Sequence, residues 1–554
     1  MNFNRASNIE RLKSEQFDVL VIGGGITGVG VALDAASRGL RTALVEKDDF
    51  SSGTSSKSSK LIHGGLRYLQ QGEIGLVYEA LHERQRLRKN APHLVYILPF
   101  MIPILTKDGV ISKKIARALG SALWMYDLTG GWRIGKFHRR LKAKEAHKHL
   151  PTMPFEKLGS AYLYYDAAAD DSRLCVTVAR TAVQHGAAIA NQCTVTKIVH
   201  DEAGVARGAI VHPTDGEPFT IRATTVVNAA GVWADSVRQA DEGNNPHSIR
   251  PAKGIHLTVP WKKVQNDIAI VIPVRRDRRS LFVVPWIPNG DGTYQYTYVG
   301  TTDTDFAGGV EESQTSAEDI HYVLEALNQS ITTNVTIDDV TAVWSGLRPL
   351  VRNEDGTTAK GKTADLSRKH KVKVSDSGVI SIMGGKLTTY RKMSEHTVDE
   401  VVKHTGKAKK CKTKNLQFIG AKGFKPSMKN GADAHLADRF GSELNRVKEL
   451  IAQDSTLGEP LINGLPYLRA EAIFACRNEM AQTLDDVLSR RTRARIINRR
   501  ATLASARKVA ELMATELHWD AAEIDRQVAF FVDSCSREEA AGLVSEAEFL
   551  ASVQ

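Results

Sequence analysis

The hydrophobic pattern changes period several times along the chain, and each change marks an element. Residues 17–22 (FDVLVI) are a nearly unbroken apolar run, the pattern of a strand buried on both faces of a parallel sheet. Residues 26–37 then place apolar side chains at helical spacing and stop at Gly39. The strand pattern resumes at 42–46 (TALVE). Strand, helix and strand in that order predict a β-α-β unit and an α/β sheet. Two later runs, 224–230 (TTVVNAA) and 379–383 (VISIM), share this style and end at Gly231 and at Gly384-Gly385. Between them, 268–274, 281–284 and 294–300 read as strands of a second, more antiparallel sheet. Residues 51–60 (SSGTSSKSSK) have the composition of a flexible linker, although the LIHGGLRYL that follows does not continue as one. Residues 403–435, rich in Lys, Gly, Asn and Ser, read as a second linker, and 483–500 and 501–517 as long Ala- and Arg-rich helices.

These patterns predict a Rossmann-like nucleotide-binding domain built from 15–90, 155–235 and 340–405. An interleaved antiparallel-sheet domain (91–154 and 236–339) would face substrate and membrane, and a linker (406–430) would lead to an all-helical domain (431–554).

With 554 residues, 42% hydrophobic and 25% charged, the chain is ordinary globular material, not disordered, collagen-like or coiled coil. A net charge of +11 favours acidic substrates, an anionic membrane or nucleic acid without choosing between them. The five cysteines form no CxxC pair, which excludes a zinc ribbon, predicts no metal and fits a reducing cytosol. The polar start MNFNRASNIERLKSEQ is not a secretory signal. The longest apolar run, 94–105, is too short to span a bilayer as a helix and is interrupted by Pro99 and Pro103.

Gly23, Gly25 and Gly28 stand as GxGxxG directly after the first strand. Gly23 suits the tight turn, Gly25 lets a pyrophosphate approach the backbone, and Gly28 lets helix and strand pack closely. Glu46, ending the second strand, suits the two ribose hydroxyls of an adenosine and would repel a 2′-phosphate. This fingerprint does not separate FAD from NAD. The segment GGKLTTYRK (384–392) follows a strand and opens a helix. Its N-terminus would face a flavin's pyrimidine edge, or Thr388 would simply cap an ordinary turn, and the segment alone leaves both open.

The combination of VIGGGITGVGVALDAASRGLRTALVEKDDFSSGTSSKSSKLIHGGLRYL (21–69), VVNAAGVWAD (226–235), KGIHL (253–257), VGTTDTD (299–305), SGLRPL (345–350) and GGKLTTYRK resembles the FAD-dependent glycerol-3-phosphate dehydrogenases. TLDDVLSRRTR (483–493) resembles that family's C-terminal domain. The resemblance implies noncovalent FAD, oxidation of sn-glycerol 3-phosphate to dihydroxyacetone phosphate, and electron transfer to membrane quinone. It also implies a cytoplasmic enzyme held peripherally on the inner face of the cell membrane, and a homodimer is left open. It carries Ser58, Ser59, His63 and Gly64 over as flavin contacts, with Gly231, Gly385, Leu387 and Thr388 beside them. Arg67, Tyr68, His256, Arg348, Arg368 and Lys386 fall where the family places substrate-site residues, Arg368 within the loosest match (ADLSRKHKV).

A dianionic alcohol calls for this set. Arg67, Arg348 and Arg368 would grip phosphate, Arg being the residue for two-pronged contacts. His256 is the first candidate for the base that removes the C2 hydroxyl proton, with His63 as its competitor. Lys386 or Arg348 would stabilise developing negative charge. The rival readings are a glycerol-3-phosphate oxidase that uses oxygen, an FAD-dependent amino-acid oxidase, and a non-catalytic, membrane-associated flavin-binding protein.

Residues 132–149 (WRIGKFHRRLKAKEAHKH) hold seven Lys/Arg and one Glu. Just before them, Ile111, Ile115, Leu119 and Leu123 fall on one helical stripe. Such a basic amphipathic segment lies on an anionic bilayer or packs on its own protein with a solvated basic face. Zinc-finger spacing and RNP-like strings are absent, so nucleic acid is not expected, and the basic residues 490–507 read as a solvated face.

Overall fold

The computed structural model describes residues 3–553 apart from 71, 106–112, 275–279, 307, 312, 353–368, 407–408 and 430–432, and only the backbone of 67, 70, 113–116 and 553. The expected α/β core is present. Gln16–Ile22 pairs in parallel with Thr42–Val45 on one side and Phe219–Asn228 on the other, and Ile380–Met383 extends the parallel set beyond Phe219–Asn228. The run at 17–22 is apolar throughout because both faces are covered. Val19 and Val21 pack under the helices Ile26–Ser37, Asp171–Gln184 and Tyr390–Thr405, while Leu20 and Ile22 share a cluster with Ile198 and Val211 of an antiparallel hairpin and Ile221 of Phe219–Asn228.

The second sheet is mostly antiparallel and larger than the apolar runs suggested, with ten strands among the described residues. Its long strand Ile249–Pro260, near one end of the sheet, obeys the two-residue alternation. Ile255, Leu257 and Val259 enter a core with Val323 and Leu327 of the helix Ala317–Asn328. Gly254, His256 and Thr258 therefore share the opposite face. Three strands inside stretches assigned above to the nucleotide-binding domain, Leu61–Ile62, Leu158–Ala168 and Ala342–Val351, pair here instead. Leu158–Ala168 lies between Leu61–Ile62 and Tyr96–Leu105, and Ala342–Val351 runs along Ile249–Pro260. A strand's apolar pattern records that it is buried, not which neighbour pairs with it.

Other expectations are corrected. Residues 51–60 form a packed turn containing the short 3-10 segment Thr54–Ser56, with Ser51, Ser56 and Lys60 buried, so they are no flexible linker. The run 94–105 is largely the strand Tyr96–Leu105, whose Phe100, Met101 and Ile104 are core residues. The stretch 483–500 is not one helix. It contains a π-helical turn, Asp486–Arg491, then Arg493 in the left-handed region at φ 67°, then the short helix Ala494–Ile497. The solvated face expected at 490–507 is found only in its later part, where Arg500 and Arg507 are exposed, whereas Arg490, Arg491, Arg493 and Arg495 turn inward into ion pairs. Residues 409–429 carry no long helix but are pinned, with Phe418 N–H donating to the Asn90 carbonyl and Asn90 Nδ2 to the Thr413 carbonyl. No helix among the described residues is long and apolar enough to cross a membrane.

Candidate functional site

One cavity of about 910 Å³ runs between the two sheets. That is the upper part of the ~300–1,000 Å³ range of small-molecule sites. It is lined at one end by Gly23, Gly25, Ile26 and Glu46, at the other by His63, Tyr68, His256, Arg348 and Lys386, with Ser58, Ser59, Gly231, Gly385, Leu387 and Thr388 between.

The nucleotide end follows from its glycines. Gly23 has φ 110°, and a Cβ there would strike the carbonyl of Ala229; one on Gly28 would strike the carbonyl of Gly23. Gly28 thus lets helix and strand pack and does not line the cavity. Gly25 has no side chain with which to cap Ile26–Ser37; Ser55 Oγ accepts the Ile26 N–H at 2.9 Å, and the rest of the first turn faces the cavity at Thr27. Glu46 receives N–H donors from Gly24 and, at 2.9 Å, from Asp48. Burial pushes its carboxyl up to about 7, against those two bonds. The helix start, the glycine cradle and the buried acid together fit an adenosine diphosphate, and the volume of the cavity leaves room for a flavin beyond it.

The flavin-side loops hold each other. Thr388 does not cap the helix Tyr390–Thr405. Its Oγ1 accepts from the His63 N–H at 3.1 Å and lies 3.2 Å from the His63 carbonyl, tying the HGG loop to the GGKLTT turn. Gly64 lies outside the cavity lining, packed on Tyr126, whose hydroxyl accepts its N–H at 2.9 Å. Lys386 Nζ sits 3.5 Å above the centroid of the Tyr68 ring, a cation–π contact.

His256 and Arg348 come from adjacent strands. His256 lies opposite Trp344 and Gly300 in the two ladders that flank its strand, and its ring stacks on Trp344 at 4.6 Å with an interplanar angle of 7°. A Cβ at Gly300 would occupy the place of the imidazole, and one at Gly254 the place of the Arg348 guanidinium, so glycine at both positions makes room. His256 Nε2 pairs with Ser59 Oγ at 2.9 Å. Burial first, then the charges of Lys60 and Arg348, hold the imidazole far below its ordinary pKa, so it is neutral. Arg348 is fixed by four acceptors: Thr302 O at 2.9 Å, Thr301 Oγ1 at 3.0 Å, Asp303 Oδ1 at 3.3 Å and Lys253 O at 3.4 Å.

Arg368 lies outside the described residues, as does the side chain of Arg67 on the helix Leu66–Gln70. Every other residue singled out from the sequence lines the cavity except Gly28 and Gly64. Residues missed include Thr301 and Asp303, which the VGTTDTD string contained, and Trp344, one position before SGLRPL. Lys60 was missed as well: its ammonium lies 4.5 Å from the Trp344 ring centroid, and burial lowers its pKa to about 8. It lay in an apparent linker, within the 21–69 string that carries the family resemblance.

The profile of the FAD-dependent oxidoreductase family matches residues 18–391, and that of the C-terminal domain of alpha-glycerophosphate oxidase matches 411–524. Glycerol-3-phosphate dehydrogenase 2 of Mycobacterium tuberculosis is 37% identical over 543 residues, covering 95% of this chain and 89% of that protein. The mitochondrial glycerol-3-phosphate dehydrogenase of Mus musculus is 37% identical over 547 residues, covering 93% of this chain and 73% of that one. The crystal structure of the glycerol-3-phosphate dehydrogenase from Bacillus halodurans complexed with FAD superimposes with a TM-score of 0.74 at 30% identity, covering 96% of both chains.

Proposed function

Because the chain belongs to the FAD-dependent glycerol-3-phosphate dehydrogenases, we propose that it oxidises sn-glycerol 3-phosphate to dihydroxyacetone phosphate at His256, Arg348 and Lys386 and passes the electrons to a membrane quinone. The observation that carries this reading is the single cavity joining the dinucleotide cradle to a cationic end that also holds a buried, neutral imidazole.

FAD, when bound, supplies the acceptor at N5 for the hydride that leaves C2. The chain's own residues do the rest. Gly23, Gly25 and the start of Ile26–Ser37 would hold the pyrophosphate, and Glu46 the ribose. Ser58, Ser59, His63, Gly231, Gly385, Leu387 and Thr388 would border the flavin, with Gly64 supporting the HGG loop from behind. His256 takes the C2 hydroxyl proton, and the neutral form needed for this is the one its surroundings favour. Arg348 and Lys386 oppose the negative charge that builds on the C2 oxygen and the ring. Arg67, Tyr68 and Arg368 complete the grip on phosphate.

Glu46 offers a test at the other end. Ribose hydroxyls donating to its carboxylate would favour ionisation of a group that titrates near 7 without ligand. Binding would then expel a proton. FAD affinity of the apoprotein should rise as pH rises toward about 7, then level off. Glu46→Gln should weaken binding and flatten that rise. A dissociation constant independent of pH in the parent, measured by flavin fluorescence, would contradict the assignment.

The acceptor reading rests on the cavity's apolar limb, formed by Leu61, Ile102, Leu119, Val271 and Phe282. Leu119 and Leu123, the described part of the predicted stripe, face inward, so that stripe is not the membrane face; Ile111 and the side chain of Ile115 lie outside the described residues. The exposed apolar residues are instead Trp124, Met125 and Leu128 on the same helix, with Trp132 and Phe137 just after it. Arg133, Lys136, Arg139, Arg140, Lys142 and Lys144 lie near the latter pair in sequence; Arg133 is in a 3-10 turn, Arg139, Arg140 and Lys142 in an outer strand, Lys144 in a short helix, and Lys136 in the loop between turn and strand. Aromatic residues among cations suit the headgroup layer of an anionic bilayer, which supports a reading in which the enzyme is held on the inner face of the cell membrane.

Changing those six cations to Gln should release the protein from anionic vesicles, at roughly 1 kcal/mol for each. High salt should do the same, and turnover with a soluble dye should persist. Sedimentation with vesicles as in the parent would sink this anchor. The acceptor is tested by peroxide yield in air, with and without a short-chain quinone. Turnover that depends on quinone with little peroxide supports the dehydrogenase. Peroxide equal to substrate consumed would assign an oxidase.

A further inference from the structure

The arginine-rich turn of the helical domain reaches into the site. Arg491 makes a two-pronged contact with Asp49, at 2.7 and 2.8 Å, and Arg490 meets the same carboxylate at 2.6 Å, just past the adenosine-side residue Glu46. Arg493 reaches the other end. It is 2% exposed, and its left-handed backbone turns the side chain back toward the nucleotide-binding domain. Nη2 donates to the Ser56 carbonyl and, at 3.1 Å, to Asp171 Oδ1, while Nη1 donates to the Ser489 carbonyl at 3.0 Å. Asp171 uses its second oxygen to accept both the N–H (3.0 Å) and the hydroxyl (2.7 Å) of Ser58. The next residue is Ser59, whose hydroxyl meets His256 Nε2 and whose carbonyl accepts from Tyr298 at 3.0 Å.

The same turn also holds the opposite wall. Thr258, two positions after His256 on the same strand face, donates to the Ile496 carbonyl at 2.7 Å. Thr341 donates to the Ile497 carbonyl at 2.7 Å. Residues 493–497 therefore grip both partners of the Ser59–His256 hydrogen bond, the loop through Arg493 and Asp171 and the strand through Thr258. A solvated linker-like loop would let that bond open. This one is clamped from a domain more than 200 residues away in sequence from His256.

We propose that Arg493 is a positioning residue for the oxidation. Through Asp171 it fixes the Ser58–Ser59 loop so that the Ser59 hydroxyl sets the orientation of the His256 ring, and the helical domain thereby completes the active site. The inference rests on His256 being the base.

The test uses the full-length holoenzyme and anaerobic stopped-flow reduction of bound flavin by sn-glycerol 3-phosphate. Arg493→Met should bind FAD at parental stoichiometry and keep the apparent dissociation constant for substrate within about threefold. Its limiting reduction rate should fall about ten- to a hundredfold, the scale of an ångström-sized misplacement. Should Arg493→Met fail to fold, Arg493→Lys keeps a buried cation but not the fork that reaches Ser56 and Asp171 together, and its rate should fall about three- to tenfold. Because Arg493 acts through His256, the double variant Arg493→Met/His256→Asn should be no more than about twofold slower than His256→Asn alone. A parental rate in the folded Arg493 variant, alongside a slow His256→Asn, overturns this inference and leaves the base in place. A double variant slowed by the product of the two single effects overturns it as well. A parental rate in His256→Asn instead removes the base reading on which the inference stands.

Discussion

Replacing His256 by Asn should slow anaerobic flavin reduction by ~10²- to 10⁴-fold, the usual contribution of a positioned general base. FAD content and substrate affinity should change little, because Asn leaves the cradle and the cationic groups intact. The argument is electrostatic as well as geometric. The ring is 2% exposed, held between Trp344 and Ser59, and surrounded by burial and by the charges of Lys60 and Arg348, all of which oppose imidazolium. The acidic limb of kcat/KM that belongs to this group should therefore lie below the ordinary histidine value of about 6.5. The sign for stability follows from the same shift. Below about 6.5 the unfolded chain takes up a proton that the folded ring refuses, so His256 makes folding less favourable as pH falls. The Asn variant should show a shallower loss of Tm on acidification. If His256→Asn reduces at the parental rate and His63→Asn does not, the base is His63.

Arg348→Lys should lower kcat/KM by ~10²- to 10³-fold, comparable to removing a donor from a preorganised anion site. Its guanidinium is aimed by Thr301, Thr302, Asp303 and Lys253 and fits over Gly254. A lysine ammonium brings the charge but neither the planar fork nor the four fixed acceptors. Both kcat and KM should move if the group touches substrate in the ground state and at the peak of the reaction. Steady-state kinetics matching the parent would place Arg348 outside the chemistry and leave it a strand-pairing residue.

Much of this site was legible because its chemistry is local. The glycine turn, the strand-ending Glu46 and the GGKLTT turn each lie within a few residues of the backbone feature that they serve. His256 was readable as a candidate, but its partner Ser59 and its stacking on Trp344 depend on strand neighbours that periodicity does not name. The same blindness put Leu158–Ala168 and Ala342–Val351 with the wrong sheet. The loop 51–60 looked like a linker because small polar residues also suit a tight turn held by side-chain hydrogen bonds, such as those of Ser51, Thr54, Ser58 and Ser59. The basic run at 490–495 looked solvated because two of its counter-charges, Asp49 for Arg490 and Arg491 and Asp171 for Arg493, lie more than 300 residues upstream. Charge alone does not reveal a partner so distant.

The most direct test of the account is an anaerobic titration of the purified holoenzyme with sn-glycerol 3-phosphate, followed by flavin absorbance and product assay. The expected result is complete bleaching of the oxidised flavin bands with about one dihydroxyacetone phosphate formed for each FAD, the balance of one two-electron transfer. Bands that stay oxidised through excess substrate, in a protein that retains its FAD, would contradict it.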